Sequence, residues 1–227
     1  LLLAAPLFDP TALPIHAISS DPAIAAAILT APRLREAFRD PRAWEPEPIE
    51  DRLARRRETP LVQAAVLMPV VVRDSQLSVL LTERTAHLHD HAGQVSFPGG
   101  RSEAEDGSAV ETALRETQEE IGLGRDRIEV IGMLPDYLTG TGYRVTPVVG
   151  LVSAPFELKA DPFEVAEVFE VPLQFLMDPA NHQTRRLVLE SGERLFYAMP
   201  FGRHFIWGAT AGMLRNFYRF LSAQIEG

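Results

Sequence analysis

Short apolar blocks, many ending in β-branched residues, recur along most of the chain, and three stretches carry the wider apolar spacing of a helix. The run QAAVLMPVVV from Gln63 to Val72 and the run Leu77 to Thr82 flank the turn Arg73-Asp74-Ser75-Gln76, which predicts a hairpin. Further strands are expected at Ile128 to Leu134, Arg144 to Val152, Glu167 to Val171, Arg186 to Leu189, Leu195 to Ala198 and His204 to Trp207. Helices are expected at Ser108 to Ile121 and Ala209 to Ala223. Pro22 to Phe38 has helical spacing at Ile24, Ile28 and Leu29, with Pro32 expected to split it into two short helices. Asp40 to Ile49 reads as a turn-rich connection. Strands with interspersed helices and no regular βαβ alternation predict an α/β (α+β) fold around a mixed sheet.

A chain of 227 residues suits one domain with embellishments. The Ala- and Pro-rich residues 1–60 read as an N-terminal appendage packed on a main domain at 61–227. The opening LLLAAPLF is too short to span a bilayer and lacks the basic start and cleavage site of a signal peptide, so the expectation is a cytoplasmic protein without a membrane role. Cysteine is absent, which excludes disulfides, thiolate nucleophiles and cysteine-based zinc sites. Net charge is −9 and no basic block exceeds Arg55-Arg56-Arg57, which argues against a nucleic-acid partner. Of the 22 basic residues only Lys159 is a lysine, so any clamp on phosphate must be built mainly from arginine.

The segment SFPGGRSEAEDGSAVETALRETQEEIGL, Ser96 to Leu123, carries the chemistry. Gly99-Gly100 gives a sterically permissive turn, and Ser108 can cap a helix whose first turn holds Glu111. At about 100° per residue, Glu116, Glu119 and Glu120 fall within roughly a 100° arc. The less polar stripe Val110, Ala113, Leu114, Thr117 and Ile121 is centred roughly 120° away, so one face can pack while the other presents charge. Carboxylates held that close repel one another unless a cation lies between them, and all-oxygen ligation suits Mg²⁺ or Mn²⁺.

The segment resembles the Nudix box: Gly100, Arg115, Glu116, Glu119, Glu120, Gly122 and Leu123 match it, with one extra residue between Gly100 and Arg115. Asp106 replaces the first glutamate of the pattern and Thr117 an aliphatic residue. The extra residue is similar to the coenzyme A diphosphatase branch. So are Leu80-Leu81-Thr82-Glu83-Arg84, Gly93 and Phe97-Pro98-Gly99-Gly100, although Thr85 stands where that branch has Ser or Ala and His89 where it has a second Arg. Thr139 to Gly150, Asp161 to Asn181 and Ile206 to Leu214 extend the resemblance to roughly residues 60 to 220.

The resemblance implies a Nudix-type mixed β-sheet sandwiched between helices and metal-dependent hydrolysis of the diphosphate of coenzyme A to 3′,5′-ADP and 4′-phosphopantetheine. It implies Glu116, Glu119 and Glu120 as metal ligands, with Arg115 holding a glutamate in place, and Arg84 and His89 as substrate contacts. Glu164 and Glu167 are candidates for a general base or extra ligand. A Nudix hydrolase of ADP-ribose, NADH or a dinucleotide is the alternative enzyme, and a catalytically silent nucleotide-binding module the alternative from another class. A homodimer stays open.

Overall fold

The computed structural model describes residues 8–47, 60–74, 76–85, 93–189 and 192–225. In chain order the elements are β1 (Ile15–Ile18), α1 (Ala31–Arg39), β2 (Val62–Arg73), β3 (Gln76–Arg84), β4 (Val95–Ser96), β5 (Gly99–Arg101), α2 (Ala109–Ile121), β6 (Ile128–Met133), β7 (Tyr137–Leu138), β8 (Tyr143–Ser153), β9 (Val165–Pro172), α3 (Leu173–Leu176), β10 (Gln183–Leu189), β11 (Gly192–Phe201), β12 (His204–Trp207) and α4 (Gly208–Ile225). The larger sheet runs β4-β3-β2-β8-β6, with β5 paired to β2, β7 to β8 and β9 to β3. Among the described residues only β2 and β8 run parallel in it, so the sheet is mixed. A second, antiparallel sheet has the order β1-β10-β11-β12.

The pleat of β2 sends successive side chains to opposite faces, and both faces are covered. Ala65 and Leu67 pack with Val148 under Ala113 and Leu114 of α2. Ala64, Met68 and Val70 face the other way, into the larger core that holds Leu214, Phe217 and Leu221 of α4 and Leu34 of α1. The sheet is thus mixed, as the sequence pattern predicts, and sandwiched between helices, as the resemblance implies. Helix α2 starts where expected because the Ser108 hydroxyl accepts a hydrogen bond from the Glu111 amide at 3.2 Å, a cap worth about 1 kcal/mol. Thr117, on the packed stripe, is fully buried and satisfies its hydroxyl by donating to the Ala113 carbonyl.

The N-terminal stretch differs from the sequence reading. Ile24 and Leu29 are buried, but residues 22–30 form no helix; α1 begins at Ala31 with Pro32 in its first turn. Proline has no N–H to lose there and its fixed φ suits a helix start, so Pro32 opens one helix instead of dividing two. Residues 8–47 run along the rest of the chain: β1 pairs with β10, Arg35 forks Glu129 on β6 at 2.7–3.1 Å, and Glu47 reaches Arg215 on α4.

Candidate active site

Two glycines shape the approach to helix α2. Gly99 pairs with Val66 of β2 at φ +149, and a Cβ there would lie 2.5 Å from the Ala65 carbonyl oxygen, so only glycine lets β5 run this close to β2. Its amide donates to Glu120 Oε2 at 3.1 Å. A Cβ on Gly100 would meet the Glu116 carboxylate at 2.4–2.6 Å, so the missing side chain leaves the space that carboxylate fills.

A strap of chain then closes the site from the far side. The Asp161 amide donates to the Glu120 carbonyl at 2.8 Å and the Lys159 amide to that of Ile121 at 2.9 Å, which ties residues 159–161 to the end of α2. Thr85 fixes the following turn: its amide donates to the Glu164 carbonyl at 3.0 Å and its hydroxyl to the Phe163 carbonyl at 2.7 Å. Glu164 is thereby held beside Arg84, whose guanidinium lies 3.5 Å from Glu120 and 3.9 Å from Glu164.

Arg115 organises the opposite side. It forks Asp106 through Nε and Nη2, each at 3.0 Å, donates to the Arg101 carbonyl at 3.1 Å, and reaches Glu116 and Glu119 through Nη1 at 3.0 Å. The hydrogen-bonded fork holds the Asp106 carboxyl well below the usual carboxylate range, and Asp106 in turn pushes the guanidinium up. Asp106, noted in the sequence only as a departure from a pattern, is the anchor of Arg115.

Charge does not balance here. Glu103, Asp106, Glu116 and Glu119 draw on Arg115, and Glu120 and Glu164 on Arg84, so among the described residues six carboxylates share two guanidinium groups. Burial pushes Glu120 up to about 7; the Gly99 amide and Arg84 oppose that shift, and the charges of Glu164 and Glu116 add to it. Burial also raises Glu116, outweighing Arg115. An all-oxygen, half-buried donor set short of positive charge fits a hard divalent cation. Glu116 and Glu120, which converge beside the two glycines, could hold it, with Glu164 or the more exposed Glu119 adding a further oxygen.

The other expected residues divide. Glu164 joins the group, but Glu167 does not: it lies opposite Glu83 in the β3–β9 pairing, on the other face from Arg84, bonded to Arg203 and 3.0 Å from His204. His89 lies outside the described residues. Among the described residues no helix is long and apolar enough to cross a membrane.

Comparison with known proteins bears on the same stretch. The NUDIX domain family model matches residues 62–190. The chain is 41% identical over 154 residues, 68% of its length and 80% of the relative's, to an uncharacterized Nudix hydrolase, NudL, of Escherichia coli K12, and equally to that of Citrobacter koseri. Among solved structures it resembles a MutT/nudix family protein from Enterococcus faecalis at TM-score 0.47 and 16% identity, over 85% of this chain and 75% of that one. It also resembles a C. elegans Ap4A hydrolase at TM-score 0.43 and 18% identity, over 50% and 82% of the two chains.

Proposed function

The chain belongs to the NUDIX domain family and is a pyrophosphohydrolase of nucleoside diphosphate derivatives, and from that premise we propose that its substrate is coenzyme A or an acyl derivative, cleaved to 3′,5′-ADP and 4′-phosphopantetheine. The observation that carries the reading is the placement of Arg84. It ends the Leu80-Leu81-Thr82-Glu83-Arg84 segment that resembles the coenzyme A diphosphatase branch, and its guanidinium stands beside both Glu120 and Glu164 with about a quarter of its side chain open to solvent. A permanent cation at that point can meet a substrate phosphate oxygen while it steadies the two carboxylates.

Bound at Glu116 and Glu120, a divalent ion (Mg²⁺ or Mn²⁺) would neutralise the diphosphate oxygens that repel a nucleophile and make a water there more acidic. The protein supplies the rest. Gly99 and Arg84 orient the Glu120 carboxylate, and Arg115, anchored on Asp106, orients those of Glu116 and Glu119. Glu164, held by Thr85 at the rim, is assigned as the base that takes the proton of the attacking water, or as an added ligand. Glu167 has no part in this assignment because it faces the other side of the sheet.

The test is turnover of coenzyme A, its acyl and dephospho forms, ADP-ribose, NADH and diadenosine polyphosphates with Mg²⁺ or Mn²⁺, for wild type and Glu120→Gln. Selective release of 3′,5′-ADP from coenzyme A, reduced about 10²- to 10³-fold in the variant as for loss of one electrostatic stabiliser, is expected. Preference for ADP-ribose or a dinucleotide would discard the substrate and keep the chemistry. No turnover of any diphosphate would favour the silent binding module.

A further inference from the structure

Behind the glutamate site, on the opposite face of β3, lies a second group of donor side chains with a different composition. Glu83 of β3 and Glu167 of β9 are direct cross-strand partners, so their carboxylates project from the same face. His204 of β12 meets them from the second sheet: Nε2 is 3.0 Å from Glu167 Oε2 and 3.8 Å from Glu83 Oε2. One donor atom from each of the three lies within 4.8 Å of the others.

The ring of His204 is fixed in place. Phe169, two residues along β9 from Glu167, stacks on it with centroids 3.6 Å apart and planes 5° from parallel, and the His204 side chain is only 10% exposed. A cavity of about 230 Å³, lined by Glu83, Gln94, Arg203, His204, Phe205 and Trp207 among others, opens beside two of the donors, Glu83 and His204.

Two like charges directly opposite on neighbouring strands cost stability unless a cation stands between them. The structure meets that need only in part. Arg203 bonds Glu167, but its side chain is 70% exposed, and among the described residues no ion pair joins it to Glu83. A tetrahedral zinc ion with bonds of about 2.0–2.1 Å holds neighbouring donors about 3.3 Å apart, and the observed 3.0 and 3.8 Å bracket that spacing.

We infer that Glu83, Glu167 and His204 form a second cation site, separate from the glutamates of α2, for a borderline divalent transition-metal ion such as Zn²⁺, with a water from the adjoining cavity as fourth ligand. One imidazole with two carboxylates selects such an ion over Mg²⁺, which favours oxygen alone. Binding takes the lone pair of Nε2, so the ring proton resides on Nδ1 in the loaded form, and Arg203 withdraws from Glu167 into solvent. Nothing in this assignment depends on the identity of the diphosphate substrate.

The test uses the full chain carrying Glu116→Gln and Glu120→Gln, which weakens the first site, with Zn²⁺ titrated calorimetrically and Co²⁺ as a spectroscopic probe. One ion per chain is expected, giving a visible Co²⁺ absorption band. Adding Glu83→Gln or His204→Ala should weaken Zn²⁺ binding at least tenfold and remove the band, whereas Arg203→Ala should tighten binding several-fold by removing the competing cation. Glu83→Gln keeps the side-chain shape at a partly exposed position, so it decides the question if His204→Ala does not fold. Absence of Zn²⁺ uptake in the background variant, or uptake indifferent to Glu83→Gln, would overturn the assignment.

Discussion

Two arginines each gather carboxylates, Arg115 on α2 from residues 103–119 around it and Arg215 on α4 from Asp21 and Glu47 far away in the sequence, and the difference in their surroundings separates a site from a clamp. Arg215 is 6% exposed and binds Asp21 at 2.5 Å and Glu47 at 2.9 Å, with Arg219 a further 3.9 Å from Glu47, so two carboxylates meet two cations. Tyr218 lies against its guanidinium, 5.0 Å from ring centroid to Cζ. Burial alone would pull the Arg215 pKa down, but Asp21 and Glu47 outweigh it, and the arginine in turn holds Asp21 below its ordinary range. Around Arg115 and its neighbour Arg84 the acids outnumber the cations, and Glu116 and Glu120 are pushed the other way. A buried network whose charges cancel holds structure together; one left short of positive charge is built to receive it.

The largest effect that bears on this contrast belongs to Arg215→Met. We propose that residues 8–47 are part of the main folding unit, because Asp21 and Glu47 come from that stretch and would be left without their shared cation. Breaking one side of a fully buried pair costs roughly 3–5 kcal/mol, but Asp21 is 43% exposed and Glu47 keeps Arg219, so about 2–3 kcal/mol is expected here. Chemical denaturation should show a loss of that order, with turnover per folded molecule unchanged. A loss below about 1 kcal/mol, at the level of an exposed pair, would return residues 8–47 to the status of an appendage.

His182 gives the next effect. It is fully buried, with Nε2 2.8 Å from the Leu176 carbonyl and Nδ1 3.3 Å from Arg215 Nη1. A carbonyl can only accept and a guanidinium only donate, so the ring is neutral with its proton on Nε2. Burial, with Arg215 adding to it against the Leu176 hydrogen bond, lowers its pKa from 6.5 to about 4. The unfolded chain therefore takes up the proton first as pH falls, so stability is intact above about pH 6.5 and drains away towards pH 4. At pH 5 the deficit is about 2 kcal/mol relative to pH 7.5. In His182→Gln the difference in unfolding free energy between those pH values should shrink by that amount; an unchanged difference would mean the clamp is not what titrates.

How much of this was legible in the sequence follows from how local each feature is. Gly99 to Leu123 is one turn and one helix, so fixed spacing was enough to place its acids. Glu167 was misplaced because an acid near a strand start gives no face until its partner is known; opposite Glu83, it turns away from Arg84. Glu164 precedes that strand, in a turn pinned by Thr85 from another segment, a contact no local pattern encodes. Strand β1 was not expected at all. Its four residues are exposed and exist as a strand only by pairing with β10, so no alternation of burial marked it. His204 was read only as the start of a strand, since the donors it joins lie on β3 and β9 and meet solely through the packing of two sheets.

Glu120→Gln in metal-free protein should give the smallest effect, and it tests the charge deficit itself. The folded-state pKa of Glu120, about 7, lies above its ordinary 4.5, so the carboxyl contributes stability in its neutral form below pH 4.5 and loses that contribution as pH rises through 7. At pH 8 wild type therefore carries a penalty that glutamine, of similar shape and uncharged, does not. With water able to relax at the cleft, about 1–2 kcal/mol remains of a shift of that size. Glu120→Gln should unfold at higher denaturant than wild type at pH 8 and at nearly the same denaturant at pH 4.5, and saturating Mg²⁺ or Mn²⁺ should close the gap by stabilising wild type alone. If glutamine instead destabilises the metal-free protein at pH 8, Arg84 and the Gly99 amide already satisfy the carboxylate, and the site differs from the Arg215 clamp in position but not in kind.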